Sequence, residues 1–471
     1  MSEVTYEALV DPSDRRPVHF VGIAGAGMSA LAELFARRAV TVTGCDNAPS
    51  ATAADLAALG IQVMTGHDPA HVGGARAVVF TSAMPRDHAE LVAAREAGIP
   101  VVRRAEALGA AVSGGDVVGV AGTHGKTTTT VMTTEALRGA GVEATGIAGG
   151  RVASWGGNLS FGSDRLFVVE ADEYDRSFLA LHPTIAVVTN VEADHLDIYR
   201  DLDDIRATFA AYVSRARFVV VCADDVGAAT LPMPNTAEVI QYGVDNPDAR
   251  LVATGVVRDG TGSRFTVVYD GETLGEIRLA VPGLHNIRNA LAAIGVGIAL
   301  DLKVPQLAPG LASFTGVERR FQRVGEARGV TVVDDYAHHP TEIVATLDAA
   351  RSAFPGRRLV VAFQPHLYSR TRDFATEFGR ALAGADAVFL TELYPAREKP
   401  IEGVSATLVA DAIEKAGGTL TWRGERGDLA DALAGAVRDG DVVLTVGAGD
   451  ITRTGPELLE RLSRGAPSRA P

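Results

Sequence analysis

The protein has 471 residues, about three times the usual length of one domain, so two to three domains are expected. Its hydrophobic fraction of 47% and charged fraction of 22% are those of an ordinary globular protein. The net charge of −14 argues against a surface that binds nucleic acid or an anionic membrane. It does not exclude a small anionic ligand, because a few local cations and helix N-termini suffice to bind phosphates.

The cysteine content points to a reducing compartment, and the hydropathy argues against a membrane-spanning segment. Cys45 and Cys222 are the only cysteines and cannot form a disulfide framework. No apolar run reaches the length of a transmembrane helix, and the N-terminal segment, with Glu3 and Glu7, lacks the apolar region of a signal peptide. We therefore expect a cytoplasmic protein with no membrane partner. The tail from about Gly465 is expected to be disordered.

Short β-branched runs alternate with alanine-rich stretches, which predicts α/β domains, each with a mainly parallel sheet flanked by helices. The alternation restarts near residues 106 and 316, so we expect three domains: 1–106, 107–316 and 317–471. Strands are predicted at Val18–Ile23, Val40–Gly44, Val117–Val120, Leu166–Glu170, Ile185–Thr189, Val330–Asp334, Leu359–Phe363, Ala387–Thr391 and Val442–Val446, with a β-rich stretch from Ala249 to Val281.

The first predicted strand leads into a glycine turn. Gly25, Gly27 and Ala30 match G-x-G-x-x-[GA], and Asp46 ends the next strand. Alone, this is a Rossmann-like dinucleotide fingerprint, but the same turn can hold any diphosphate nucleotide, including a UDP-sugar. Two residues in the loops after later strands either contact the nucleotide or are ordinary polar loop residues: His67 and Ser82.

The strand Val117–Val120 leads into the segment Gly122–Thr128 and then a helix. A glycine-rich turn at a helix N-terminus presents backbone N–H groups to phosphate oxygens. Lys126 would neutralise the charge of the β- and γ-phosphates, and the Thr127 hydroxyl would bind Mg²⁺. The usual phosphate-loop spacing is not met, because Val120 occupies the first glycine position. The chain has only four lysines, which makes a chance lysine here less expected.

Acidic and histidine residues follow two neighbouring strands. Glu170 ends Leu166–Glu170 and His195 follows Ile185–Thr189, so both could hold a magnesium ion, although histidine is a less usual ligand for that cation. Four further acids either lie behind these ligands or are solvated loop charges: Asp172, Glu173, Glu192 and Asp194.

Polar residues also precede a later predicted helix and are concentrated in the third predicted domain. His285 either lies in the cap region of its helix or joins Asn286 and Asn289 in adenine recognition. Histidines, arginines and tyrosines concentrated just past parallel strands indicate a binding crevice. They are Arg319, Arg320, Tyr336, His338, His339, His366, Tyr368, Arg370 and Arg372, and Asp335 lies at the end of the first of these strands.

At these residues the chain resembles the Mur ligase family over essentially its whole length. The order and spacing of the motifs together are specific, although several are generic alone. The motifs are Gly22–Ala30, Gly122–Thr130, Glu170–Glu173, Asn190–His195, His285–Asn289, Arg319–Phe321, Asp335–Pro340, Gln364–Arg370, Tyr394–Glu398 and Gly447–Asp450.

The resemblance implies a Rossmann-like domain for the UDP-sugar, a central ATPase-type domain of the P-loop class and a C-terminal domain that closes over ATP and the amino acid. The implied UDP-sugar site is Gly25, Ala26, Gly27, Met28, Ser29, Asp46, His67 and Ser82. The implied ATP site is Gly122, Thr123, His124, Gly125, Lys126, Thr127, Thr128, His285, Asn286, Asn289, Arg320 and Asp335. Magnesium would be held by Thr127, Glu170 and His195, and the amino acid by Tyr336, His338, His366 and Arg370. The implied catalytic residues are Lys126, Glu170, His195, Arg320 and His338.

The resemblance further implies an ATP- and Mg²⁺-dependent ligase that joins L-alanine to UDP-N-acetylmuramate through an acyl phosphate, in peptidoglycan precursor synthesis. The enzyme would be a monomer or weak dimer. Sister ligases use a carbamylated lysine in the central domain, but no lysine lies between Lys126 and Lys303, which favours the alanine-adding branch. Some members have arginine where this chain has Leu367, so the clamp for the alanine carboxylate can differ. The base for the amine stays open between His338 and His366.

Three alternatives accompany this interpretation. A related ligase would attach a recycled peptide to the same sugar nucleotide. An NAD-dependent oxidoreductase would use the first glycine motif but would leave Lys126, Thr127, Glu170 and His195 unexplained. A non-catalytic nucleotide sensor would release no phosphate with any substrate.

Overall fold

The computed structural model describes residues 9–396 and 398–464. Over these residues the chain forms three successive sheets flanked by helices, which confirms the predicted α/β fold. The acidic N-terminal segment with Glu3 and Glu7, Arg397 of the Tyr394–Glu398 motif and the tail from Gly465 lie outside the described residues. Within the part of the chain that is described, no helix has both the length and the apolar character needed to cross a membrane.

The first sheet is entirely parallel. Its strands are β1 (Val18–Val21), β2 (Val42–Asp46), β3 (Gln62–Thr65), β4 (Ala77–Phe80) and β5 (Val101–Arg103). Its helices are α1 (Ala26–Arg37), α2 (Ala51–Ala58), α3 (Ala89–Glu96) and α4 (Arg104–Val112). The strand order β3-β2-β1-β4-β5 reverses direction at β1, and ligands of open parallel sheets bind at such a point, beyond the carboxyl ends of the strands.

Two strand predictions in this sheet are corrected. β1 ends at Val21 rather than Ile23, because Gly22 has a φ of 77° and turns the chain away from the extended path. β2 runs from Val42 to Asp46 rather than from Val40 to Gly44, because its pairing begins at Val42 with Val18 and extends to Asp46 with Thr65 of β3. The glycine turn and Asp46 therefore meet at the same edge of the sheet.

The second sheet has ten strands: β6 (Asp116–Ala121), β7 (Thr145–Val152), β8 (Gly157–Ser160), β9 (Leu166–Glu170), β10 (Ile185–Val188), β11 (Phe218–Cys222), β12 (Glu238–Gly243), β13 (Leu251–Asp259), β14 (Gly262–Tyr269) and β15 (Glu272–Leu279). The helices are α5 (Lys126–Gly139), α6 (Leu202–Val213), α7 (Val226–Ala229), α8 (Leu284–Ala299) and α9 (Val304–Ser313). β6 lies between β10 and β9 in parallel, so the loops after these three strands share one edge. Antiparallel pairs occur only toward the ends of the sheet, as β13–β14, β14–β15 and β7–β8.

The third sheet has the order β16-β17-β21-β18-β19-β20 and is parallel except for β16 with β17. Its strands are β16 (Gln322–Ala327), β17 (Val330–Asp335), β18 (Leu359–Phe363), β19 (Ala387–Thr391), β20 (Leu420–Gly424) and β21 (Val442–Val446). Its helices are α10 (Pro340–Ala353), α11 (Tyr368–Leu382), α12 (Thr407–Lys415), α13 (Arg426–Ala436) and α14 (Thr454–Arg464). Every residue of β17, β18, β19 and β21 is buried, which explains the continuous apolar run of β18 and the mainly apolar sequences of β19 and β21.

Short 3₁₀ segments complete the described secondary structure at Pro69–Val72, Ala153–Trp155, Tyr174–Ala180 and Asp450–Arg453. Residue 106 falls within α4, and residue 316 falls in the loop between α9 and β16.

Candidate active site

The glycine turn of the first domain is held by the end of β2. The Asp46 Oδ2 atom accepts a hydrogen bond from the Ala24 N–H at 2.9 Å. The Cys45 carbonyl accepts from the N–H groups of Gly22 and Ile23 at 2.9 and 3.0 Å. α1 then begins at Ala26, and no side chain caps it, which leaves this helix N-terminus open to an anion. The Asp46 side chain therefore stabilises the conformation of the glycine turn.

Arg104 is a candidate site residue that sequence reasoning missed. A Cβ atom added at Gly27 would lie 2.9 Å from the Arg104 Nη1 atom, so this guanidinium rests against the first turn of α1. Its Nη2 atom lies 3.7 Å from the Asp172 Oδ2 atom of the second domain. The available signal was its place just past β5, at the carboxyl edge of the sheet. Of the other predicted UDP-sugar residues, Ser82 is exposed and His67 faces Cys45 and Glu90.

The loop between β6 and α5 is a preorganised turn. Gly125 has a φ of 80° and lies so close to Asn289 that an added Cβ would be 2.9 Å from its Oδ1 atom. The Asn190 Oδ1 atom accepts from the His124 N–H at 2.7 Å, and the Thr189 hydroxyl donates to the His124 carbonyl at 2.6 Å. The loop after β10 thus fixes the loop after β6.

Lys126 and His195 meet the same buried carboxylate. The Lys126 Nζ atom lies 2.8 Å from Glu173 Oε2, and the His195 Nε2 atom lies 3.5 Å from Glu173 Oε1. Burial lowers the pKa of Lys126, but the carboxylates of Glu173 and Asp172 outweigh it and raise the pKa above its usual value. The solvated-loop alternative is wrong for Glu173, which is 3% exposed.

Thr127 and Glu170 are also in contact. The Thr127 hydroxyl donates to Glu170 Oε1 at 2.9 Å, and the Gly149 N–H donates to Glu170 Oε2 at 2.5 Å. Burial raises the pKa of Glu170, and Lys126 opposes that rise. Of the three predicted metal residues, the structure therefore brings Thr127 and Glu170 into contact. His195 instead meets Glu173, which also pairs with Lys126.

A cavity of about 710 Å³ opens between the second and third domains. Its volume falls within the usual range for small-molecule and cofactor sites. Most of the predicted ATP residues line it: His124, Gly125, Thr127, Thr128, His285, Asn286, Asn289, Arg320 and Asp335. The other predicted ATP residues, Gly122, Thr123 and Lys126, are not among its lining residues. The Lys126 ammonium donates to the Gly122 and Thr123 carbonyls at 2.6 and 3.2 Å.

The amides at the start of α8 are partly used within the protein. Asn286 Nδ2 donates to the Pro282 carbonyl at 2.7 Å, and Asn289 Oδ1 accepts from the Thr129 hydroxyl at 3.1 Å. Burial lowers the pKa of His285 to about 4, so its imidazole is neutral. Sequence reasoning missed further lining residues of this cavity: Cys222, Asp224, Tyr242, Arg288, Phe314, Arg323 and Phe354.

Glu342 joins the second and third domains, and sequence reasoning missed it. Its Oε1 atom lies 3.2 Å from His124 Nδ1 and 3.7 Å from Arg320 Nη1, while Oε2 lies 3.2 Å from His338 Nδ1. Burial raises the pKa of Glu342, but the nearby His338 and His124 side chains outweigh this and lower it well below the usual value. The only sequence signal was its place three residues after the helix cap at His339, where such a residue reads as part of a capping box.

The four residues predicted to surround the amino acid lie together. The Tyr336 and His338 ring centroids are 5.2 Å apart, and those of His338 and His366 are 6.1 Å apart. Arg370 Nη1 lies 3.4 Å from His366 Nδ1. The Arg370 guanidinium also pairs with Asp194, which is buried rather than solvated.

Family models match three successive parts of the chain. They are the Mur ligase family catalytic domain at residues 17–115, the Mur ligase middle domain at 120–297 and the Mur ligase glutamate ligase domain at 319–449. The UDP-N-acetylmuramate–L-alanine ligase of Cutibacterium acnes is 48% identical over 462 residues, 96% of this chain and 97% of the relative.

Two solved structures show the same architecture. A UDP-N-acetylmuramate–alanine ligase from Thermotoga maritima has a TM-score of 0.82 and 29% identity, over 96% of this chain and all of that chain (100%). A murein peptide ligase from Psychrobacter arcticus has a TM-score of 0.73 and 25% identity, with the same coverage of 96% and 100%. Through its motifs, its three domains and these matches, the chain belongs to the Mur ligase family.

Proposed function

We propose that the protein joins L-alanine to UDP-N-acetylmuramate with cleavage of ATP, giving UDP-N-acetylmuramoyl-L-alanine, ADP and phosphate. The observation that carries the proposal is the cavity of about 710 Å³ between the phosphate loop and Arg320, lined by residues predicted independently to hold ATP. The 48% identity to an alanine-adding relative supports L-alanine as the amino acid.

ATP would lie in this cavity with its phosphates on the loop before α5. Backbone N–H groups at a helix N-terminus stabilise phosphate charge, and Lys126 adds a cation that is already fixed beside Glu173. Arg320 approaches from the third domain, where its guanidinium lies 4.9 Å from the Tyr336 ring centroid. Adenine would meet His285, Asn286 and Asn289 at the start of α8.

Thr127, Glu170 and His195 suit a magnesium ion. The hydroxyl and carboxylate of Thr127 and Glu170 are oxygen donors 2.9 Å apart, and burial of Glu170 disfavours its charge until a cation compensates it. Bound Mg²⁺ would supply Lewis-acid neutralisation of phosphate charge. His195 lies among carboxylates, 3.5 Å from Glu173 and 3.7 Å from Asp194, a setting that favours cations.

The first chemical step joins two anions, the lactyl carboxylate of the sugar nucleotide and the γ-phosphate. Lys126 and Arg320 would lower its barrier by stabilising charge on the transferred phosphoryl group. A carboxylate oxygen forms the new P–O bond, and the bond from the γ-phosphorus to the bridging oxygen breaks to release ADP. The acyl phosphate would otherwise hydrolyse, so the closed contact between the second and third domains protects it from water.

In the second step the alanine amine attacks the acyl carbon, and phosphate leaves. We assign the base to His338. Its Nδ1 atom lies 3.0 Å from the Tyr336 carbonyl, which can only accept, so the hydrogen sits on Nδ1 and the Nε2 lone pair can take a proton. Burial lowers the pKa of His338, which keeps the imidazole neutral before reaction. His366 and Arg370 complete the amino-acid pocket, with Arg370 toward the alanine carboxylate.

In this proposal each of the three domains contributes a different substrate-binding site. Residues 1–106 would bind the UDP-sugar through Gly25, Ala26, Gly27, Met28, Ser29, Asp46 and Ser82. His67, also predicted for this site, is instead directed at Cys45 and Glu90. Residues 107–316 would bind ATP, and 317–471 would close over ATP and the amino acid. We place the reaction in the cytoplasm, since both cysteines are free and the co-substrates are nucleotides. Nucleic acid and membranes are not partners in this proposal, and the enzyme would act as a monomer or weak dimer.

The decisive experiment measures phosphate release with ATP, Mg²⁺ and UDP-N-acetylmuramate against a panel of amino acids and a cell-wall peptide. We expect turnover with L-alanine. Turnover with the peptide but not alanine would replace the proposal with the recycling ligase. No phosphate release with any substrate would favour a nucleotide sensor, and NADH binding in a fluorescence titration would favour an oxidoreductase.

A further inference from the structure

A cluster of histidines and one cysteine surrounds a buried carboxylate in the first domain, apart from the ATP cavity. Glu90, in the first turn of α3, has a side chain that is 0% exposed. The Cys45 Sγ atom lies 3.1 Å from Glu90 Oε1, and the His67 and His71 Nδ1 atoms each lie 3.0 Å from the carboxylate. His88 Nδ1 lies 3.7 Å from it.

A carboxylate buried this deeply needs a compensating cation. Among residues 9–396 and 398–464, no lysine or arginine forms an ion pair with Glu90; its ion-pair partners there are histidines. The His88 Nδ1 atom is itself buried and has no hydrogen-bond partner within the described chain, although it is directed at the cluster. The cluster therefore holds more nitrogen and sulfur donors than its internal hydrogen bonds use.

The donor atoms around Cys45 lie 3.1 to 3.5 Å from its sulfur, close to the separations in a tetrahedral zinc site and slightly shorter on average. Zn–S and Zn–N bonds of about 2.3 and 2.0–2.1 Å place ligand atoms roughly 3.3–3.8 Å apart. Here Cys45 Sγ lies 3.2 Å from His67 Nδ1 and 3.5 Å from His19 Nε2. The ligand atoms of His19, Cys45 and Glu90 all lie within 4.8 Å of one another.

The imidazole of His19 is oriented as metal ligands are. Its Nδ1 atom lies 3.0 Å from the Thr43 hydroxyl, which leaves Nε2 facing the Cys45 sulfur. A hydrogen bond on the far nitrogen fixes the ring and its tautomer in metal sites. A thiolate with imidazoles and one carboxylate is a donor set that suits Zn²⁺ and not Mg²⁺.

We propose that Cys45, Glu90, His67 and His19 bind a structural zinc ion. Binding would release the thiol proton of Cys45 to solvent, so the site forms more readily as pH rises. The ion would tie β1, β2 and the start of α3 together. The Cys45 carbonyl receives the Gly22 and Ile23 N–H groups, so the zinc would stiffen the turn that precedes α1 without touching the reacting atoms.

The test is metal analysis of the full-length protein. The protein is dialysed against a chelator, loaded with Zn²⁺ and separated from free metal, and bound zinc is measured by mass spectrometry. We expect about one zinc per chain. Cys45→Ser and His19→Gln should lose it, while Cys222→Ser, which changes the other buried cysteine, should keep it.

Cobalt substitution gives a readout that does not depend on activity or on stability. Co²⁺ in the parent protein should show thiolate-to-cobalt charge-transfer absorption and the intense visible bands of a tetrahedral site, and both should be absent from Cys45→Ser. Zinc should also raise the unfolding temperature of the parent and of Cys222→Ser, but not of Cys45→Ser. Zinc retained equally by Cys45→Ser, or no zinc in the folded parent, would overturn the proposal and leave a hydrogen-bonded cluster.

Discussion

Arg370 of the third domain and Asp194 of the second form a buried ion pair, with Arg370 Nη2 2.8 Å from Asp194 Oδ1. The two side chains are only 5% and 8% exposed. The guanidinium makes further contacts to the same carboxylate at 3.1 and 3.3 Å, so the pair is held by more than one hydrogen bond. The planar Arg370 guanidinium, with its fork of N–H donors, is thus positioned at the contact between the two domains, beside His195 and His366.

Arg370→Lys keeps the charge and loses the fork, so it tests the amino-acid pocket. We expect the KM for L-alanine to rise on the order of tenfold, about 1.4 kcal/mol of lost binding, with a smaller change in the KM for ATP. Steady-state kinetics with each substrate varied separately would measure both constants. Arg372→Lys is the matched control, because Arg372 lies on the same helix but is 53% exposed. Equal changes in both constants, or none, would remove Arg370 from the pocket.

Lys126→Ala should lower the rate of phosphate release at least about a hundredfold, because the phosphoryl charge loses its fixed cation. UDP-N-acetylmuramate binding, measured by calorimetry, should survive because it belongs to the first domain. Lys303→Ala changes an exposed lysine of the same domain and should behave like the parent. If Lys126→Ala remains folded but loses both phosphate release and UDP-N-acetylmuramate binding, the proposed assignment of these functions to separate domains is wrong.

The sequence predicted those parts of the fold and site that follow from local chemistry. Leu359–Phe363 and Val442–Val446 were predicted to the residue, because a parallel strand buried on both faces is a nearly continuous apolar run. The glycine loop around Lys126 was found because a phosphate site needs those residue types in that order.

Residues whose role depends on contacts between domains were not predictable. Glu342 follows a helix start at the spacing of an ordinary cap, and only the assembled fold places it against His124. Glu173 and Asp194 read equally well as solvated acids, and burial beside Lys126 and Arg370 distinguishes the alternatives. Arg370 and Asp194, for example, are 176 positions apart in the sequence. No local sequence pattern encodes a contact over that distance.

His124 should make the domain contact sensitive to pH. Burial lowers its pKa, but the carboxylates of Glu342 and Glu192 outweigh this and raise the pKa from 6.5 to about 9. Because the folded-state pKa exceeds the unfolded value, the stabilisation is fully present below pH 6.5 and is lost as pH rises through about 9.

The unfolding temperature of the parent should therefore fall between pH 6.5 and 9 more steeply than that of His124→Gln. Calorimetry or fluorescence across this range would measure the difference. His182→Gln, which alters an exposed histidine, should retain the parent profile. Parallel profiles for the parent and His124→Gln would show that His124 carries no extra proton in the folded protein.

Glu170→Gln and His195→Ala should each raise the Mg²⁺ concentration needed for half-maximal rate. Glu170→Gln keeps the size of the side chain but removes the charge that favours a divalent cation. Phosphate release at fixed ATP, titrated with MgCl₂, would report the shift, with His182→Ala as the exposed-histidine control. A titration of His195→Ala that superimposes on the parent would exclude His195 as a ligand.

Arg104 is the cation beside the first turn of α1, and it should contribute to binding of the sugar nucleotide. Its guanidinium lies where a Cβ at Gly27 would collide with it at 2.9 Å, so it stands next to the N–H groups that would receive the diphosphate. A charge-assisted hydrogen bond contributes about 1.5–3 kcal/mol, so Arg104→Gln should weaken UDP-N-acetylmuramate binding by roughly ten- to a hundredfold.

The KM for ATP should stay near that of the parent, because the ATP cavity lies between the other two domains. Arg103→Gln is the matched control, since Arg103 is adjacent in sequence, 40% exposed and paired with Asp175 at 3.4 Å. Gly27→Ala supplies a second test, because the added methyl group must push the guanidinium away while every charge is kept. Calorimetric titration of all three variants would decide the question. If Arg104→Gln binds the sugar nucleotide like the parent, the arginine serves only to join Asp172 to the first domain.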